Sequence, residues 1–246
     1  MEPVSKKLKV EDDSSASAPE PFTQKGSHDD EVTLDFGEEK LYVPQFLLCL
    51  ASPVFEAMFR NEFREKKQKI VVMTGKSYED FLDFLLCIHP RYQKAVNELN
   101  VLRIVPLADE YLVTAIVTKC KAVMKSMLSK AVKTAANVND KEQLQPLRKC
   151  FIVLHSAVSL NYTDISVLAV NYIAKFGYCL YNDIDCTCSK NGIVYNFTLD
   201  GKIDNVTTYG DVHKECRALF TSLPDDIRCQ ILSERLKKVD YNNFKS

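Results

Sequence analysis

What this 246-residue sequence lacks narrows its function before any motif is read. It has no run near the ~18 consecutive apolar residues that a helix needs to cross a bilayer, so no membrane span is expected. It has no excess of charge: 32 Lys plus Arg stand against 33 Asp plus Glu, a formal net charge of −1. Long-range attraction of the whole chain to nucleic acid or to an anionic membrane surface is therefore not expected. The first residues are charged and contain no apolar core, so no secretory leader is expected there. Histidine is scarce, at four residues. His28, His89 and His155 have no partner acid or nucleophile within reach by spacing, which gives no basis for a catalytic histidine. The expectation is a protein that is not an enzyme and that carries no cofactor or metal.

Cysteine is present, nine times, but in a pattern that argues against disulfides. The number is odd, and the residues are scattered among apolar neighbours. Cys49, Cys87 and Cys120 each fall inside a predicted helix. Such usage fits reduced, buried thiols in a protein of the nucleus or cytoplasm. Cys179, Cys186, Cys188, His213 and Cys216 lie near one another in sequence and invite a zinc reading. Their spacing fits none of the structural zinc patterns, which favour paired C-x₂₋₄-C units, so free thiols are expected. Asn161, Asn196 and Asn205 begin glycosylation triplets. Without a leader these are read as chance matches.

Residues 1–30 are polar and rich in Ser, Pro, Asp and Lys, a composition that cannot bury enough apolar surface to offset ordering, so a disordered tail is expected. Within it, Lys6, Lys7 and Lys9 form a short basic cluster. It resembles a nuclear localisation signal, and a solvated charged tail is the plainer reading. Val32 to Phe36 alternates in polarity, and Lys40 to Val43 follows after Gly37, as in a hairpin. Pro44 is expected in the first turn of a helix, and Ser52 as the N-cap of the next, with Pro53 behind it. Lys69 to Met73 reads as a short strand. Ser77 then caps a helix that ends at His89-Pro90. Asn97 to Tyr111 reads as a helix kinked or split at Pro106. Thr114 to Leu128 is helical.

Beyond residue 129 the pattern is again mostly helical, with Leu144 to Leu160 and Thr163 to Phe176 as a pair. Leu223-Pro224-Asp225-Asp226 opens a final helix. Four of the seven glycines lie between Gly177 and Gly210, marking a change of composition. Asn191-Gly192 and Asp200-Gly201 are two-residue hairpin signals on either side of an alternating segment. A three-stranded β-meander over 186–209, or a long irregular loop, is expected there.

Lys40 to Met73 is the most informative stretch. Phe46, Leu47, Leu48, Cys49, Leu50 and Ala51 are consecutive apolar residues on one short predicted helix. A helix apolar all round is buried on every side, either by its own domain or by a second molecule. Phe46, Leu47, Leu48 and Leu50 are accordingly expected at a dimer seam. Lys66-Lys67-Gln68-Lys69 has no interleaved aromatic residues and reads as a solvated loop, not a nucleic-acid patch.

The same stretch resembles a BTB (POZ) domain. Ala51-Ser52-Pro53-Val54-Phe55-Glu56-Ala57-Met58-Phe59 follows the family's turn-and-helix motif, and Ala108-Asp109-Glu110-Tyr111 follows a later one. The resemblance covers roughly Glu31 to Leu128 and looks most like the nematode BTB proteins with a helical C-terminal extension. It implies an α+β fold: a helical cluster capped by a short sheet over 31–128, then a mainly helical extension over 129–246. It also implies a protein-interaction module. In this family the segment after the helix that ends in Ala57-Met58-Phe59 meets the cullin scaffold of a ubiquitin ligase through a hydrophobic residue, any residue, then Glu. Phe63-Arg64-Glu65 stands in that place. Glu31, Pro44, Gln45 and Ala51 depart from family positions; those at the start of the first helix and before Ser-Pro argue against the transcription-repressor branch. The expected partners are a second copy of the chain, a cullin scaffold and an unknown protein substrate. The other reading is a nuclear scaffold or transcription cofactor that uses the domain only to dimerise.

Overall fold

The structure, a computed structural model, describes residues 21–26, 30–60, 69–136, 143–176, 194–197, 203–206 and 210–243. It opens with a three-stranded sheet of order β2-β1-β3. Strand β1 (Glu31–Asp35) pairs antiparallel with β2 (Lys40–Pro44) and parallel with β3 (Ile70–Val72). The hairpin turns at Gly37, whose φ of +99° a side chain would strain. The alternation read from the sequence is realised: Val32, Leu34, Leu41 and Val43 are all buried, on one face of the sheet.

Helices α1 (Gln45–Ala51), α2 (Pro53–Arg60), α3 (Tyr78–Ile88), α4 (Val101–Glu110) and α5 (Thr114–Ala136) build the rest of this half. Pro44 ends β2 and is the N-cap of α1, one residue outside the helix in which it was expected. Ser77 caps α3 as expected, its Oγ accepting from the Asp80 N–H at 3.3 Å. Helix α4 starts four residues later than the periodicity predicts. Asn97 and Asn100 divert the backbone into a turn instead: the Asn100 carboxamide oxygen accepts from Asn97 N–H, and that of Asn97 from Leu99 N–H, each at 2.8 Å. Pro106 does not split α4. It sits on the exposed side, where the carbonyl it leaves unpaired can reach water.

Buried polar groups lock this half together. Asp83 on α3 is nearly covered, yet it pairs with Lys94 and with Arg103 of α4, the latter at 2.8 Å. Covering a carboxylate costs free energy unless it is paired and hydrogen-bonded, as it is here.

Helix α5 runs past Leu128 to Ala136, because Ala131 and Ala135 continue its buried stripe. It packs on α4 and also on α6 (Leu144–Ser159) and α7 (Thr163–Ile173). One continuous apolar core therefore extends from the sheet to Phe151 and Ile173. Helix α8 (Gly210–Thr221) packs on α6, and α9 (Asp225–Asn243) on α7. Sequence reading missed α8. Its signal was the spacing of Val212, Cys216, Leu219 and Phe220, obscured by treating His213 and Cys216 as possible ligands.

In the expected meander, β4 (Val194–Phe197) and β5 (Ile203–Val206) form a two-stranded antiparallel pair. The fold is α+β, dominated by helix, with the small sheet at the front of the chain.

Candidate interaction surface

Helix α1 owes its position to Asp30. The Asp30 carbonyl accepts from Gln45 N–H at 2.7 Å, and its carboxylate accepts from Phe46 N–H at 3.2 Å. The helix is thereby anchored at the end where its unpaired N–H groups lie. Asp30 was not singled out in the sequence, because the two segments it joins are separated by the whole β1–β2 hairpin.

So fixed, α1 shows two faces. Leu47 and Leu48 point into the core, with 3% and 0% of their surface exposed. Phe46 and Leu50 point outward, 63% and 80% exposed. The expectation of four seam residues is corrected in part: Leu47 and Leu48 belong to the domain's own core, and Phe46 and Leu50 are the pair left outside. The two stand at i and i+4, neighbours on one helix face. Cys49, between the faces, is half-buried. Burial, helped by Glu56 and Asp30, raises its thiol pKa and favours the neutral form.

Helix α2 follows after Ser52, which is buried. Its Oγ accepts from Phe55 N–H at 3.2 Å and donates to the Tyr111 carbonyl at 2.6 Å. The Phe55 ring stacks on Tyr111 at 4.5 Å and on Phe59 at 6.2 Å, and meets Phe81 edge-on. The two sequence motifs thus touch, and they hold α2 against the end of α4.

Phe63, Arg64 and Glu65 lie in 61–68, outside the described residues, between the end of α2 and β3. Lys6, Lys7 and Lys9 also lie outside them, as do Cys179, Cys186, Cys188 and His28. Among the described residues no group of three or more His, Cys, Asp or Glu could hold a metal ion. Cys216 is a core residue whose Sγ donates to the Leu144 carbonyl at 3.6 Å, and burial pushes its thiol up to about 12. Burial, helped by the nearby Arg217 charge, lowers the His213 pKa. His155 bonds the Leu219 carbonyl through Nε2 at 2.7 Å, tying α6 to α8. No described helix is long and apolar enough to cross a membrane.

The joint between the two halves is polar as well as apolar. Tyr162, at the start of α7, donates its hydroxyl to the Asp109 carboxylate of α4 at 2.7 Å. Lys121 of α5 lies 3.9 Å over the Tyr162 ring, and Lys125 pairs with Asp164 at 2.7 Å. Lys130 pairs with Glu98 at 2.7 Å, beside the turn that precedes α4.

A small sheet with β1 and β3 parallel, a motif helix pair and an outward apolar helix face define an interaction fold, and comparison identifies it. Residues 21–128 match the family model of the BTB/POZ domain, and this part of the chain is a BTB/POZ domain. Such a domain is a protein–protein interaction module. Two Caenorhabditis elegans proteins are similar. BTB and MATH domain-containing protein 38 is 32% identical over 91 residues, which is 37% of this chain and 23% of that protein. BTB and MATH domain-containing protein 36 is 28% identical over 102 residues, 42% of this chain and 32% of that protein. The chain spans less than a third of the length of either curated relative.

The family match starts at residue 21, earlier than the boundary of 31 read from composition. The structure gives the reason. Phe22 packs against the core, its ring edge-on to His89 at 5.4 Å and to Tyr92 at 6.0 Å. The polar residues around this phenylalanine concealed it in the sequence.

Proposed function

We propose that the chain is a dimeric substrate adaptor for a cullin-based ubiquitin ligase. The observation that carries the dimer is the outward pair Phe46 and Leu50 on a helix whose other face is already used. Two such faces across a two-fold axis would shield each other's apolar surface from water. The cullin contact is assigned to Phe63, Arg64 and Glu65, which follow the motif helix in sequence. There an apolar side chain fills a partner groove and a carboxylate adds a directed polar contact. The helical extension, joined to the BTB domain through α5 and Tyr162, offers a surface for a protein substrate. The adaptor makes no bonds; it raises the effective concentration of target near ligase.

Co-purification with a cullin tests the reading. Wild-type chain should retain the scaffold, and the double variant Phe63→Ala, Glu65→Ala should lose it while keeping its melting temperature. Retention by that variant would remove the site assignment. No cullin bound to the wild type would remove the adaptor role.

A further inference from the structure

The outer edge of β2 is a place where another strand could add. Leu41 and Val43 face β1 with their peptide groups, so Lys40, Tyr42 and Pro44 face outward. Pro44 has no N–H to offer, which blocks a long ladder, as at many protected sheet edges. The Tyr42 N–H remains, and it is not left bare. It donates to the Phe22 carbonyl at 2.8 Å.

Beside that bond lies an aromatic slot. The rings of His89 and Tyr92 meet tilted, with centroids 4.8 Å apart, and the Phe22 ring enters edge-on to both. The slot is held from behind: Arg91 N–H donates to His89 Nδ1 at 3.1 Å, and the Gln93 side chain to the Pro90 carbonyl at 2.9 Å. It is also open to solvent, with Tyr92 41% exposed. Phe22 takes a φ of +68°, unfavourable for a phenylalanine, so the backbone accepts strain for this seat.

We propose that the Tyr42 edge and the His89–Tyr92 slot form a receptor for a short extended peptide bearing one aromatic residue, and that residues 21–26 are its resident, displaceable occupant. The partner's carbonyl takes the Tyr42 N–H and its ring takes the slot. Pro44 limits the contact to a few residues. The resident segment is an internal competitor, present at the roughly millimolar effective concentration of a short tether. This receptor lies on the sheet and α3 side and does not depend on the adaptor reading.

The probe is a synthetic peptide of residues 18–26, titrated into full-length chain and followed by NMR. In the Phe22→Ala chain the Tyr42 amide and His89 ring resonances should shift saturably. A peptide with alanine in place of Phe22 should leave them unmoved, and the native chain should need roughly tenfold more peptide. No saturable shift in a folded Phe22→Ala chain, an equal response to the alanine peptide, or an equal response from the native chain would each overturn the proposal. Should Phe22→Ala not fold, hydrogen exchange on the native chain decides. A displaceable segment requires the Tyr42 amide to exchange about a hundredfold faster than Leu34 inside the sheet; equal rates would overturn it.

Discussion

Ser52 and Tyr111 stand 59 residues apart in sequence, and the Ser52 hydroxyl donates to the Tyr111 carbonyl at 2.6 Å. One buried side chain thereby starts α2 and satisfies the backbone just past the end of α4. Alanine at Ser52 should orphan that carbonyl and the Phe55 N–H together. A loss of about 2 kcal/mol is expected in chemical denaturation. A loss below a few tenths would mean that water replaces both bonds.

The outward pair on α1 makes the opposite prediction. Phe46→Asp with Leu50→Asp removes apolar surface that the domain does not use. Sedimentation should show a dimer becoming a monomer, while the denaturation midpoint of the monomer stays within experimental scatter. A wild-type chain that is already monomeric at micromolar concentration would refute the seam.

Tyr162→Phe isolates the bond to Asp109 from the packing of the ring. The hydroxyl is worth about 1–2 kcal/mol as a donor to a carboxylate. Tyr162→Ala should cost more, about 3 kcal/mol, because it also leaves a cavity beside Lys121. Both can be read from denaturation curves. Equal effects would show that the hydroxyl, not the ring, joins the halves.

Alkaline pH probes the buried thiols. Burial pushes Cys120, Cys150 and Cys216 from 9.0 to about 12. A pKa raised in the folded state gives stability that is complete below the unfolded value and is lost as pH rises through the folded one. The melting temperature should therefore be insensitive to these groups up to about pH 9 and fall between 9 and 12. Cys150→Ala should shallow that fall. In thiol labelling of the native protein followed by mass spectrometry, exposed Cys229 should react far faster than these three.

Much of the fold was legible because local rules agree with the tertiary outcome. Alternation placed β1 and β2, and Ser52 and Ser77 marked helix starts because their hydroxyls serve as caps. The motif between Ala51 and Phe59 placed the BTB domain. The misreadings have physical causes. Six apolar residues in a row cannot reveal which are inward, so Leu47 and Leu48 were grouped with Phe46 and Leu50. Asp30 caps α1 from across a hairpin, a relation no local window contains. Phe22 docks from a polar segment, where a lone aromatic carries little pattern. Helix α8 was hidden by cysteine and histidine residues that suggested chemistry and turned out to be packing.

Helix α5 lies on both sides of the boundary drawn at residue 128 and has no break there. At 1.5 Å per residue its length is on the order of 35 Å. It acts as a girder common to two rooms: under the adaptor reading, a target gripped by the extension would be carried at a bearing set by this one unbroken helix. A chain cut after Leu128 would bare Met124, Met127 and Leu128 to water, so the two halves share one fate in folding as well as one geometry.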